Sequence, residues 1–333
     1  MSMNAARRTS WALACGAAWF SCAIGLAAAA PGAALPYPAK PISLIVPYPA
    51  GGGTDTIARL VGKHLGDRFG VPVVVENKPG ASGILGNDQV AKATPDGYTL
   101  LLGITALIQT PALYQNVPYD VRKDLVPVSE VARSSDLFVV HRDVPAHTVE
   151  QFVELAKRKP GAYHYGNYGN GTSSHMHGEL FKLVTGAQIE AVPFKGAAPL
   201  TTAILGGQIA SAFVDVSSFN ANLESDRIRI LAITGTKRHP KLPSVPTFQE
   251  IGMAGFEPNG WFGLFAPAGT PRPIVDKLAA AVREIVRTED VDGRLRSMGL
   301  TPVGNTPDEF ADVIDTDTPY WAGIVKDAHI VME

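Results

Sequence analysis

The chain has 333 residues, enough to build two ordinary cores. Its 46% hydrophobic and 18% charged content is that of a globular protein and excludes a disordered chain or a coiled coil. A formal net charge of −2 offers no basic field for nucleic acid, whereas one anionic ligand in a pocket needs only local donors.

The chain starts unlike the rest. Arg7 and Arg8 precede an uncharged stretch of mostly small apolar residues over 11–30, the layout of a secretory signal peptide. Cleavage is expected between residues 29 and 34, with Pro31 disfavouring the bond after Ala30, so that 1–34 leaves and the mature protein resides in the periplasm. A run of about 20 apolar residues could also anchor the chain in a bilayer, but the closing small-residue run favours cleavage. The adjacent arginines leave Sec and twin-arginine export both open. Cys15 and Cys22 both fall in this segment, so the mature chain is expected to have no disulfide, thiolate metal site or cysteine nucleophile.

After residue 40, strands and helices alternate. Residues 42–46 form a short apolar run followed by a glycine turn. Residues 55–69 then read as a helix with Ile57, Leu60, Val61, Leu65 and Phe69 on one face. Strands are expected at 71–75, 98–102, 137–140, 212–214, 228–233 and 261–265. Thr148 with Gln151 reads as a capping box, Thr270-Pro271 as a helix start, and Thr306-Pro307-Asp308-Glu309 as both at once. This βαβ pattern argues for mainly parallel sheets with helices on both faces. Because no flexible linker separates two halves, the chain is expected to cross between two lobes more than once, at 137–141 and 260–267. One lobe is then 36–138 plus 263–333, and the other is 139–262.

Three glycine-rich turns carry the candidate chemistry. The first is Pro47-Tyr48-Pro49-Ala50-Gly51-Gly52-Gly53-Thr54-Asp55, between a strand and a helix. Its glycines allow close backbone approach, and its free N–H groups at a helix start suit an anion. Tyr48, Pro49, Ala50, Gly51, Gly52 and Asp55 are candidate ligand contacts there. The second, Pro79-Gly80-Ala81-Ser82-Gly83, offers Ser82 at a sheet's carboxyl edge, where open α/β folds bind ligands. The third, from Tyr165 to His175, offers Tyr168, Gly169, Gly171, Thr172, Ser173 and His175 as a second anion cradle. Each could also be a plain turn or capped helix start. Thr105, Lys195 and Asp215 complete the candidate set.

His175 and His177 are two residues apart on a helix and make a poor metal pair. No metal and no cofactor is expected. Gly51-Gly52-Gly53 followed by a strand and Glu76 imitates a dinucleotide site without its G-x-G-x-x-G spacing, and hydrolase, zinc-protease and Walker motifs are absent.

The chain resembles the substrate-binding proteins of tripartite tricarboxylate transporters, the Bug family. The segments that carry the resemblance include the first glycine turn, Val73-Val74-Val75-Glu76-Asn77-Lys78-Pro79-Gly80-Ala81 and Pro95-Asp96-Gly97-Tyr98-Thr99-Leu100-Leu101. Val192-Pro193-Phe194-Lys195-Gly196 and Trp261-Phe262-Gly263-Leu264-Phe265-Ala266-Pro267 continue it. The resemblance implies a two-lobed periplasmic-binding-protein fold of type II, with a small carboxylic acid held between the lobes by the first turn and the 169–174 loop. It also implies delivery to inner-membrane transporter subunits by a monomer that catalyses nothing. A sensor presenting its ligand to a signalling receptor, and an α/β enzyme, are the alternatives. Ala50 stands where the family commonly has a second proline, and 167–172 replaces a simpler small-residue run.

Soluble protein from the periplasmic fraction should begin within about residues 30–35 by mass spectrometry; an intact Met1 would show that the N-terminal run is not cleaved.

Overall fold

The computed structural model describes residues 37–257 and 260–330, so the expected signal peptide and both cysteines lie outside the described residues. β1 (Ile42–Val46) runs into α1 (Gly53–Phe69), followed by β2 (Val73–Asn77), α2 (Ile84–Ala91), β3 (Thr99–Ile104), α3 (Ala106–Leu113), the single turn α4 (Val121–Asp124) and β4 (Leu125–Ser134). Next come β5 (Asp136–His141), α5 (Val149–Arg158), β6 (Tyr163–Asn167), α6 (Ser173–Thr185), β7 (Ile189–Pro193), α7 (Ala197–Leu205), β8 (Ser211–Asp215), the short α8 (Val216–Phe219) and β9 (Ile228–Ile233). β10 (Gly260–Pro267), α9 (Arg272–Ile285), α10 (Glu289–Ser297), β11 (Thr301–Pro302) and α11 (Pro307–Asp327) complete the chain.

The strands form two sheets, one in the order β11-β4-β10-β3-β1-β2 and one in the order β7-β6-β8-β5-β9. In the first, β2, β1 and β3 are parallel and β10 runs against both β3 and β4. In the second, β7, β6 and β8 are parallel and β5 runs against both β8 and β9. The two reversed strands, β5 and β10, are those expected as crossing segments. β5 belongs to the second sheet from Asp136 and β10 to the first from Gly260, a few residues outside the expected changes at 138/139 and 262/263.

Period-two alternation explains why each sheet needs helices on both faces. Leu44, Leu100 and Leu264 face one side, against Ile57 and Val61 of α1 and Val282 of α9. Ile45, Leu101 and Phe265 face the other, against Leu107 of α3 and Phe310 and Trp321 of α11. In the second sheet Phe138 and Phe213 pack with Phe152 and Phe181, while Leu137, Val139 and Val214 pack with Leu200 and Ile204.

Two of the expected caps differ in detail. Thr306 and Glu309 form the full reciprocal box. At α5, Thr148 accepts from the Gln151 N–H, but the Gln151 amide oxygen takes the N–H of His147 rather than that of Thr148. Helix α9 starts at Arg272, with Pro271 in the flanking cap position.

Behind β10, α11 presents Asp317 to β4, where Arg133 forks onto the buried Glu130 at 2.5 and 2.9 Å. Asp317 is itself buried, and burial pushes its carboxyl up to about 7, with Arg133 opposing and Glu130 adding to the rise. Between about pH 4, where the unfolded carboxyl titrates, and pH 7, the folded state therefore holds a proton the unfolded state has lost. Stability falls as pH rises through that window and levels off above it. Asp317→Asn should flatten this fall, the wild type losing roughly 1–4 kcal/mol relative to the variant between about pH 4 and 8 in urea titrations. Parallel pH profiles for the two proteins would show that Asp317 is already ionised when folded.

Candidate functional site

The first glycine turn is shaped by Asp55. This buried carboxylate accepts from the Gly51 N–H at 2.9 Å, Arg59 Nε at 3.0 Å and Asn77 Nδ2 at 3.0 Å. Arg59 first, then Gly51 and Asn77, hold it down to about 2. Asn77 also donates to the Tyr48 carbonyl, tying the end of β2 to the turn. Expected as a ligand contact, Asp55 instead spends its oxygens on the protein's own donors, because three of them converge on it within one helical turn and the adjacent strand. Gly51, at φ +82°, supplies the left-handed backbone that lets its N–H point back at Asp55.

The third turn is also wired to itself. Thr172 donates to the Gly169 carbonyl at 2.6 Å, so its side chain does not cap α6. Asn167 Oδ1 takes the Gly169 N–H, Ser174 Oγ takes the Tyr168 N–H, and His175 Nδ1 takes the Gly171 N–H at 3.2 Å. Burial lowers the proton affinity of His175, which suits its role as an acceptor. Ser173 is different: its hydroxyl accepts from Gln109 Nε2 at 3.2 Å, a bond from α3 on the first sheet to α6 on the second.

Between the sheets lies a cavity of about 230 Å³, lined from the first side by Gly53, Thr54, Thr105, Ala106 and Gln109. The second side contributes Tyr168, Thr172, Ser173, Ala197, Asp215, Ser217 and Ser218, and the crossings contribute Ser134, Gly260 and Trp261. Larger hollows exist: those of about 610 Å³ beside Tyr119 and about 580 Å³ beside His141 and His164 each draw their lining from one sheet's side alone, and those of about 340 Å³ beside Asp317 and about 270 Å³ beside Lys182 join the two sides only along α11.

Thr105, Tyr168, Thr172, Ser173 and Asp215, all expected from the sequence, line this cavity. Tyr48, Pro49, Ala50, Gly51, Gly52, Asp55, Ser82, Gly169, Gly171, His175 and Lys195 do not. Tyr48 packs its hydroxyl over Gly83, Ser82 bonds the Tyr114 hydroxyl at 2.9 Å, and Lys195 is exposed. The residues not foreseen are chiefly Gly53, Thr54, Ala106 and Ala197, the openings of α1, α3 and α7, together with Gln109, Ser217 and the crossing residues Ser134 and Gly260. The signal available in the sequence was position: each follows a strand's carboxyl end or stands at a crossing.

Four helices of two turns or more, α1, α3, α6 and α7, therefore begin on the cavity wall. Their first N–H groups have no partner within the helix and carry partial positive charge. No Lys, Arg or His is among the described residues on that wall. The one ionisable acid there is Asp215, which accepts from the Ser134 and Ser217 hydroxyls and from the Ser218 N–H at 3.1 Å. Burial first, then the nearby Asp136, push its carboxyl upward, with those three donors opposing. The Tyr168 hydroxyl donates to Asp136, whose other oxygen is 2.7 Å from Nδ1 of the fully buried His177. Among the described residues no group of three His, Cys, Asp or Glu could hold a metal ion, and no helix is long and apolar enough to cross a membrane.

Residues 57–330 match the family described as the tripartite tricarboxylate transporter family receptor. The chain belongs to this receptor family. It is 36% identical to BugT of Bordetella pertussis, over 90% of this chain and 92% of that protein. Among solved structures it is similar to the R. palustris protein Rpa4515 with adipate, at 33% identity and a TM-score of 0.77 over 89% of this chain and 99% of that one. It is also similar to MatC of Rhodopseudomonas palustris with bound malate, at 30% identity and a TM-score of 0.74 over 87% and 100%. The receptor family thus shares the two-lobed fold described above.

Asp55→Ala would strand the Gly51 N–H, Arg59 and Asn77 together. It should cost about 2–4 kcal/mol in urea unfolding, against about 0.5–1.5 kcal/mol for Ser173→Ala, which removes one bond across the lobes. Equal small losses would mean that Asp55 does not hold the turn.

Proposed function

We propose that this receptor is a periplasmic solute-binding protein that captures a small carboxylate between its lobes and delivers it unchanged to membrane transporter subunits. One observation carries the reading: four helix N-termini open onto an interlobe cavity whose described wall has no cationic side chain. A carboxylate there is held by backbone N–H groups and helix dipoles, with Thr105, Thr172 and Ser173 nearby, rather than by an ion pair. The cavity, about 230 Å³, is below the usual range of about 300–1,000 Å³ for drug-sized ligands and fits a small acid. The ligands named for Rpa4515 and MatC, adipate and malate, are both small carboxylates.

The Ser134 and Ser217 hydroxyls share one carboxylate, Asp215, and the Tyr168 hydroxyl donates to Asp136, with no histidine, lysine or cysteine among the described residues of the wall. Binding energy then goes into closing the lobes, since closure is driven only by contacts a ligand makes in the closed state and lacks in the open one.

A thermal-shift screen over carboxylic acids finds the ligand, because an additive that binds only the folded state raises its melting temperature. Calorimetry on that acid and its neutral amide then tests the cradle. Charge-assisted hydrogen bonds of about 1.5–3 kcal/mol each predict at least a roughly tenfold preference for the acid. Equal affinity for the amide would overturn the reading, and recovery of chemically altered ligand would point to an enzyme instead.

A further inference from the structure

The cavity is polarised. Carboxylates accept and do not donate, so every hydroxyl bonded to one must point its hydrogen at it. Ser134 and Ser217 both donate to Asp215, and Tyr168 donates to Asp136. All three residues line the cavity, and the protons of their hydroxyls are already committed. What they and Asp215 show to a ligand is lone pairs. An ionised carboxylate has about four acceptor positions. On Asp215, Oδ1 takes Ser217 and the Ser218 N–H and Oδ2 takes Ser134, leaving one position on Oδ2 unused by any described residue.

From this we infer that the ligand carries, besides the carboxylate held at the helix N-termini, a hydrogen-bond donor (an ammonium or a hydroxyl) that meets the acceptor wall of Asp215, Ser134 and Ser217, and that Asp215 selects such acids over plain or dicarboxylic ones. The inference rests on the carboxylate-receptor reading and refines it. A second carboxylate at this wall would face an anion and two oxygens whose protons point away, an unpaired, like-charged contact that is disfavoured in a buried site. A donor meets no such penalty. Burial and the neighbouring Asp136 both raise the proton affinity of Asp215, and none of the described residues on the wall is cationic to offset them. An ammonium on the ligand is the missing counter-charge, and a hydroxyl is its neutral counterpart.

Isothermal titration with four- to six-carbon acids in matched plain, hydroxy, amino and dicarboxylic forms tests this on the wild-type protein. The hydroxy or amino form should bind at least about tenfold tighter than the plain and dicarboxylic acids of the same length. Asp215→Asn keeps a good helix cap but replaces one acceptor by an N–H donor. It should weaken the preferred acid by about tenfold or more and move the preference toward the dicarboxylate. The matched amino and hydroxy arms tell the two donors apart directly, by which of the two acids binds more tightly. Binding of plain or dicarboxylic acids as tight as that of the donor-bearing forms overturns this inference alone. So does an unchanged preference in a folded Asp215→Asn variant. If that variant fails to fold, the wild-type ranking decides by itself. No binding by any acid would overturn the carboxylate reading and this one with it.

Discussion

Two strands that run against their neighbours fix the arrangement on which everything else depends. β5 pairs β8 and β9 in reverse, β10 pairs β3 and β4 in reverse, and each is where the chain passes from one sheet into the other. The crossings are stitched to both sheets. Ser135 gives its carbonyl to Val216, Asp136 gives its carbonyl to Thr234 and its N–H to the Thr234 hydroxyl, and Trp261 donates its N–H to Thr105 Oγ1 at 2.7 Å. With both crossings pinned, the parallel strands of the two sheets aim their carboxyl ends at one gap. The helices that follow β1, β3, β6, β7 and β8 must then all start there. An open α/β sheet binds ligands at that edge; two such edges facing each other double the number of free N–H groups.

That convergence explains why the described wall of the cavity can do without lysine and arginine. A cation on the wall would demand an anion or a ligand at all times, since an unpaired buried charge is costly. Helix termini carry only partial charge and tolerate water when the gap is open. The glycines belong to the same logic at one point in particular. Gly171, at φ +75°, passes so close to α3 that a Cβ there would lie 2.7 Å from Leu113 across the gap. The lobes can approach there because that position has no side chain.

The fold was legible wherever apolar residues alternate cleanly or a helix has a chemical start signal. β1, α1, β5, β8, β9 and β10 follow that pattern, and so does the capping box at Thr306. β4 was not, because Pro127, Ser129 and the buried Glu130 interrupt its alternation; Glu130 is tolerated only through Arg133 and Asn305. Nor was β6, where Gly166 reads as part of a turn. It is core packing: a Cβ on Gly166 would collide with Leu200, and one on Gly178 with Tyr165. That a cavity would lie at the strand ends was legible, and five of the expected residues, Thr105, Tyr168, Thr172, Ser173 and Asp215, line it. Which face of each turn looks into the gap was not. That is decided by long-range partners such as Asn77 for Asp55 and Tyr114 for Ser82, which lie outside the turns themselves.

The contacts that join the lobes divide into two kinds with different consequences. Near α11 they are mainly apolar and buried: Met176 of α6 sits in the core beneath the first sheet and His177 packs on Trp321 at 5.2 Å between ring centres, with one hydrogen bond from the Tyr320 hydroxyl to the Gly255 carbonyl beside them. Elsewhere they are polar and few. Gln109 meets Ser173 at 3.2 Å, Asn220 meets the Ser297 carbonyl at 2.7 Å, and Lys241 reaches the same carbonyl at 3.3 Å from an exposed position. Polar bonds of this sort replace bonds to water and contribute only about 0.5–1.5 kcal/mol each. They can set the register of closure but supply little drive toward it. The apolar contacts join the two sheets' sides along α11, and the polar ones add little to them. Under the proposed carboxylate reading, an acid bridging helix N-termini from both lobes would add charge-assisted bonds of about 1.5–3 kcal/mol each, contacts that favour the closed arrangement only if they are lacking in the open one.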